Sequence, residues 1–144
     1  EVDRETGATR VLKLIVAGDV GKAINPQAVA MQDEGAAVQG LGHSLMEHYI
    51  LDSSGRIRNP GALDYRIPTT QDVPRELRSI HVENADGPGP YGAKGVAEGG
   101  ILCTAPAIGS AVAQAVGVRI RDLPLTPERI WTEVNRSGLR SISP

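Results

Sequence analysis

Phenylalanine is absent from this sequence, and the other aromatics amount to three Tyr and one Trp. Any core must therefore be built from Ile, Val, Leu and Ala. The single cysteine, Cys103, excludes an intrachain disulfide and a cysteine-based metal cluster. No block of Lys and Arg occurs and the formal net charge is −2, which argues against nucleic acid or an anionic membrane as a partner. No apolar run is long enough to span a bilayer. The first residues lack the basic, apolar and small-residue regions of a signal peptide, so the expected compartment is the cytoplasm. His43, His48 and His81 are scattered, and the first two are not spaced to share a helix face. No metal ligand is expected from this chain.

What is present fits one domain, or one piece of a larger one, at 144 residues and 40% hydrophobic content. Seventeen Gly and ten Pro imply many tight turns. The opening Glu1-Val-Asp-Arg-Glu-Thr-Gly7 carries no methionine and reads as the middle of a strand–turn–strand. It suggests a chain excised from a longer polypeptide.

Residues 11–17 read as a largely buried strand that forms a hairpin with residues 1–3 across the turn at Glu5-Thr-Gly7. Asn25-Pro26 marks a helix start, with Asn25 as the cap and proline at the first helical position. The helix is expected over residues 27–49, with Gly35, Gly40 and Gly42 inside it. Glycines there signal either close packing or approach of the backbone to a bound group. Asp52-Ser-Ser-Gly55 predicts a second hairpin, between residues 49–51 and 56–58. Residues 77–83 alternate as a half-exposed strand. Residues 100–116 form an apolar, Ala-rich helix despite Pro106, closed by Gly117. Thr126-Pro127 starts a short helix over residues 129–134, and residues 135–144 read as a frayed tail. The fold class is α+β: antiparallel strands and hairpins packed with two long helices, as residues 1–134 of a larger domain.

The chemistry centres on Gly89-Pro-Tyr-Gly-Ala-Lys-Gly-Val-Ala-Glu-Gly-Gly100. Glu98 lies between a glycine-rich loop and a helix start, where the helix dipole favours a carboxylate. A general base needs to be ionised and dry enough to be effective, or else Glu98 is a simple N-terminal helix acid. Gln32 sits amid Ala, Val and Met, either exposed or touching a ligand. Gln39, followed by Gly40-Leu-Gly42, is read the same way. Asp19 and Asn25 read as turn and cap residues. Lys94 either pairs with an anionic ligand or lies exposed. Cys103 reads as a small buried side chain. The dinucleotide-binding, phosphate-loop and serine-hydrolase motifs are all absent.

At these residues the chain resembles the C-terminal, molybdopterin-binding part of the large subunit of the xanthine dehydrogenase/aldehyde oxidase family, carbon-monoxide-dehydrogenase-like bacterial members included. Asp19-Val-Gly-Lys-Ala-Ile-Asn-Pro26 resembles the family's Asp-x-Gly-x-x-x-Asn-Pro turn. Gln32-Asp-Glu-Gly-Ala-Ala-Val-Gln-Gly-Leu-Gly42 resembles its Gln-x-x-Gly-x-x-x-Gln-Gly-x-Gly helix. Asp64-Tyr-Arg-Ile-Pro68 resembles a linking strand. Gly92-Ala-Lys-Gly-Val-Ala-Glu98 resembles the segment that carries the catalytic glutamate, and Leu123-Pro-Leu-Thr-Pro-Glu-Arg129 the closing helix. These segments fall in the family's order.

The resemblance implies a molybdenum hydroxylase, which hydroxylates a carbon of an aldehyde, purine or N-heterocycle with water as the oxygen source. It implies a molybdopterin, as the cytosine dinucleotide in bacteria. Glu98 matches the family's base, which takes the proton from a molybdenum-bound hydroxyl as that oxygen attacks the substrate carbon. Gln32 matches a residue contacting the cofactor, and Gly95, Val96 and Ala97 would lie against it through their backbone. Ala97 stands where the family usually has glycine. The implied partners are the remainder of the large subunit and iron–sulfur and FAD subunits or domains, in an oligomer. The isolated chain is expected to hold cofactor weakly or not at all and to expose apolar surface that its partners cover. The other reading is a non-catalytic domain that keeps the fold for assembly.

Overall fold

The computed structural model describes residues 1–140. In chain order it contains β1 (Lys13–Asp19), α1 (Pro26–Leu45), β2 (Glu76–Val82), a 3-10 turn at Pro90–Gly92, α2 (Gly99–Val116) and α3 (Pro127–Arg140).

The α1 helix starts where the sequence places it. The Asn25 side chain accepts a hydrogen bond from Ala28 N at 3.0 Å, and Pro26 occupies the first helical position. It ends at Leu45, short of the expected residue 49. Asp33, Ala36, Ala37, Gly40, Leu41 and Ser44 are buried along one stripe at helical spacing. Asp33 and Ala37 on that stripe meet the sheet, while Ala36 and Gly40 face α2, and the two helices approach closely because small residues meet. A Cβ on Gly40 would lie 2.7 Å from the Cβ of Thr104, and one on Gly100 would lie 3.1 Å from the Cβ of Ala36. Ser44 is fully buried, as is Thr104 in this interface. Each donates to the carbonyl one turn back in its own helix, Gly40 O and Gly100 O, at 2.6 Å. The main core adjoins this contact: Leu41, Ile108, Val112, Val116, Leu125 and Ile130.

The α2 helix keeps Pro106 inside it and ends on Gly117 at φ +80°. Contrary to the sequence reading, it has the length and composition of a bilayer span, with 18 residues at a mean hydropathy of 1.4. Gly, Thr and Pro interrupt its apolar run and hide that property from inspection. One face packs on α1, but only 28% of the helix is buried, so a broad apolar face points outward. In α3 the Thr126 Oγ1 accepts from Arg129 N at 3.3 Å, as the capping pattern predicts. That helix continues through residue 140; the rest of the expected tail, 141–144, lies outside the described residues.

The mixed helix and strand content agrees with α+β, but the strand pairing differs from the expectation. Instead of folding onto residues 1–3, β1 pairs with β2 in parallel, with Lys13 opposite Glu76 and Asp19 opposite Val82. A parallel partner must arrive through a long crossover, here the one containing α1, and local turn patterns carry no trace of it. Antiparallel pairing among the described residues is limited to isolated bridges, Val2 with Thr9 and Leu51 with Ile57. The segment 64–68, expected as a linking strand, forms turn and coil. Nor is β1 largely buried: Leu14 and Val16 pack on Ala37 of α1, while Ile15 faces outward. Ile80 and Val82 of β2 are exposed as well. Parallel sheets are normally covered on both faces, and this one is covered on one. The chain exposes 9727 Å² in all, over a third more than the roughly 7,100 Å² at which a compact 15.2 kDa protein would lie.

Candidate functional site

Three loops converge beyond the C-terminal ends of the paired strands: residues 19–25 after β1, 83–87 after β2, and 92–98 before α2. Backbone hydrogen bonds lace them together. Lys94 N donates to Val20 O at 3.0 Å, Lys22 N to Gly92 O at 3.1 Å, Gly87 N to Gly92 O at 2.9 Å, and Ala85 N to Gly21 O at 3.2 Å. Gly21, at φ +62°, passes so close under Gly92 that an added Cβ would collide with its carbonyl oxygen. This contact requires glycine on both steric and conformational grounds.

Charged side chains tighten the junction. Asp19 Oδ2 receives Lys94 Nζ at 2.6 Å and Asn84 Nδ2 at 3.2 Å, while its Oδ1 accepts from Gly21 N at 3.0 Å. Lys94 also reaches Asp86 at 2.7 Å. The Lys94 hydrogen bond, followed by that of Gly21, holds the Asp19 carboxyl below the usual carboxylate range. Asp19 first and Asp86 second push the Lys94 ammonium above its ordinary value. Glu83 accepts from Lys22 Nζ at 3.0 Å and from Ala23 N at 3.1 Å, and Lys22 above all lowers its carboxyl. Asp19 is thus a turn residue, as expected, and an ion-pair partner besides; Lys94 pairs with this chain's own carboxylates.

The structure brings Gln32 and the segment before Glu98 together. Gln32 Nε2 donates to Ala97 O at 2.9 Å across the gap between α1 and the loop. Beside this bond lies an open cleft of about 330 Å³, walled by Ala28, Val29 and Gln32 on one side and by Val20, Ala93 and Val96 on the other. Among the described residues, the backbone N–H groups of Gly95, Val96 and Ala97 donate to nothing, and a Cβ on Gly35, Gly95 or Gly99 would meet nothing. Gly95, Ala97, Glu98 and Gly99 are exposed, and Val96 is half-buried. Glu98 is the cap residue of α2 and makes no capping hydrogen bond with its side chain. The dry pocket expected around Glu98 is therefore not formed by these residues. Gly35 alone among the three α1 glycines lies in open space, whereas Gly40 serves packing and a Cβ on Gly42 would strike Glu47 and Pro68.

The remaining candidates separate from this junction. Gln39 is exposed on α1. Cys103, expected to be buried, is exposed, with its thiol 3.7 Å from the Gly99 and Gly100 carbonyls. The structure adds a buried polar group: Asp33 Oδ2 accepts from Ser79 Oγ at 2.6 Å and lies 3.9 Å from His81 Nε2, a buried nitrogen with no hydrogen-bond partner among the described residues. The signal was available, because Asp33 occupies the same helical stripe as Ala36, Ala37 and Gly40. Among the described residues no three His, Cys, Asp or Glu side chains gather into a metal-binding group.

These residues suit a pterin-type cofactor: amide donors in a row, glycines without steric cover, a carboxamide beside them and an adjoining cleft. A sequence profile for the molybdopterin cofactor-binding domain matches residues 1–74. The chain is 35% identical over 135 residues to a probable hypoxanthine oxidase of Escherichia coli, covering 94% of this chain and 14% of that protein. It is 42% identical over 122 residues to a putative xanthine dehydrogenase molybdenum-binding subunit of the same organism, covering 84% of this chain and 16% of that one. The quinoline 2-oxidoreductase of Pseudomonas putida superimposes with a TM-score of 0.83 at 36% identity, over 93% of this chain and 17% of that one. The chain thus spans about a sixth of the length of the relatives it matches. It belongs to the molybdopterin cofactor-binding domain family, as a segment of a molybdenum hydroxylase large subunit of the xanthine dehydrogenase and aldehyde oxidase kind.

Proposed function

We propose that this chain supplies the general base and part of the cofactor cradle of a molybdenum hydroxylase. Its substrates are aldehydes, purines or N-heterocycles, and water is the oxygen donor. The observation that carries the reading is the hydrogen bond from Gln32 Nε2 to Ala97 O. It holds the carboxamide of α1 against the residue that precedes Glu98.

The bound molybdopterin, in its cytosine dinucleotide form, supplies the redox chemistry. This chain's residues do the rest. The N–H groups of Gly95, Val96 and Ala97, which donate to no described residue, would hold the cofactor by donating to it. Gln32 fixes the position of that stretch through the Ala97 carbonyl and keeps its own amide oxygen, which accepts from no described residue, for a second contact. Glu98, placed at the start of α2, accepts on its carboxylate the proton lost by the attacking hydroxyl. General base catalysis of this kind contributes roughly 10²–10⁴-fold. Glu98 becomes an effective base when the rest of the subunit covers it and excludes water. The uncovered sheet face and the outward side of α2 are the surfaces that the rest of the subunit would bury, and iron–sulfur and FAD partners carry the electrons away.

The test is Glu98→Gln in the full-length, assembled protein. Molybdenum content should remain, and turnover should fall by about 10²–10⁴-fold. Turnover close to wild type in the molybdenum-loaded variant would sink the base assignment. It would favour the reading of a non-catalytic assembly domain.

A further inference from the structure

Lys94 is attached to the molecule twice. Its backbone N–H donates to Val20 O at 3.0 Å, and its ammonium pairs with Asp19 at 2.6 Å and Asp86 at 2.7 Å. Asp19 is itself oriented by Gly21 N and Asn84 Nδ2. One ammonium therefore joins the loop after β1, the loop after β2 and the loop that leads to Glu98.

Past Lys94 the segment is nearly unsupported. Gly95 has open space beside it, and the next side-chain tie is Gln32 onto Ala97 O. The short span leading to Glu98 hangs between these two points. We propose that Lys94 is a positioning residue for Glu98: the grip of Asp19 and Asp86 sets the path of residues 94–98, keeping the Ala97 carbonyl on Gln32 and the glutamate at the start of α2. This rests on the assignment of Glu98 as the base.

Exposure indicates what kind of effect to expect. The Lys94, Asp19 and Asp86 side chains are 29%, 41% and 62% exposed. Ion pairs this open to water add little to stability. Their consequence lies in where the loop sits. A misplacement of about 1 Å near the chemistry lowers rates by as much as 10²-fold.

The experiment uses the full-length, molybdenum-loaded protein and compares Lys94→Met, Lys94→Arg and Asp19→Asn. Lys13→Met is the control, since it breaks a similarly exposed pair on the sheet, Lys13 with Glu76 at 2.7 Å. In the loaded protein the amides of residues 95–97 would donate to the cofactor, so amide exchange of peptides spanning residues 95–98, read by mass spectrometry, should rise about tenfold or more when Lys94→Met lets that stretch move away. In the same variant kcat should fall on the order of 10–100-fold, with KM, molybdenum content and Tm nearly unchanged. Lys94→Arg should recover part of both losses, Asp19→Asn should lie between, and Lys13→Met should match wild type. Unchanged exchange at 95–98 in Lys94→Met overturns the proposal. So does a Tm loss with kcat preserved per molybdenum, or a loss of molybdenum itself, which would make Lys94 a cofactor-retaining group. If Lys94→Met does not fold, exchange and kcat in Asp19→Asn decide by the same criteria. Failure of the base assignment is recognised separately, by turnover in Glu98→Gln, because the exchange measurement does not depend on Glu98.

Discussion

The contact between α1 and α2 and the junction of three loops beside it are held by opposite means. The helix contact is dry and made of small side chains, Gly40 on Thr104 and Ala36 on Gly100. Its geometry is fixed by hard-sphere contact, and a single methyl group is felt. The loop junction is wet, held by backbone hydrogen bonds and by ion pairs such as Asp19 with Lys94 and Lys22 with Glu83. Its geometry is fixed by direction and charge. The two regions meet at Glu98, the last residue of the loop and the cap of α2. The rigid contact sets where the helix begins; the polar junction sets how the chain enters it.

The sharpest way to break the comparison is Gly40→Val. The first added carbon already lies within 2.7 Å of the Thr104 Cβ, so the helices must move apart. Overpacking of this kind destabilises by about 1–3 kcal/mol, to be read as a shift of the denaturation midpoint. A second change, Thr104→Gly, should recover part of the loss; no recovery would mean that the steric contact is not the cause. A smaller effect of opposite sign is expected of Gly35→Ala, where a Cβ meets nothing. Helix propensity then favours the variant by about 1 kcal/mol, seen as a rise in Tm. A fall in Tm would show that Gly35 is covered in the assembled protein.

The smallest effect belongs to the exposed junction. Asp19 has its carboxyl lowered, first by Lys94, so its folded value lies below its unfolded one. Its stabilisation is complete above the unfolded value of about 4 and is lost as pH falls through the folded value. Lys94 is raised, so its share holds below its unfolded value and disappears only as pH rises through the folded one. The Tm difference between wild type and Asp19→Asn should therefore be a few degrees at most at neutral pH and should vanish on acidification. A difference that persists at strongly acid pH would mean that Asp19 acts through shape and not through charge.

Much of this was legible in the residues. Asn25-Pro26 and Thr126-Pro127 announced their helix starts because caps are local. Gly117 announced the end of α2 for the same reason. The sequence left the α1 glycines open between close packing and approach to a bound group, and the structure gives Gly40 to packing; Asp33 lies two helical turns before Gly40 on the same buried stripe. The β1–β2 pairing was not legible, since strand patterns carry periodicity without a partner's address. The exposure of Cys103 was equally hidden, because an apolar, Ala-rich helix does not say which of its faces another helix will cover.

What the chain determined by itself was its elements, their ends, and the glycine-flanked carboxylate that marks the candidate site. These follow from short-range rules of backbone freedom and hydrogen bonding. What only the tertiary structure decided was which distant groups meet: Gln32 on the carbonyl before Glu98, Lys94 between Asp19 and Asp86, β1 beside β2 in parallel. Gln32 and Ala97, Lys94 and Asp19, and the paired residues of β1 and β2 each lie more than fifty positions apart. Such contacts form only after the helices have packed, when closure of the long loops between them is offset by burial elsewhere.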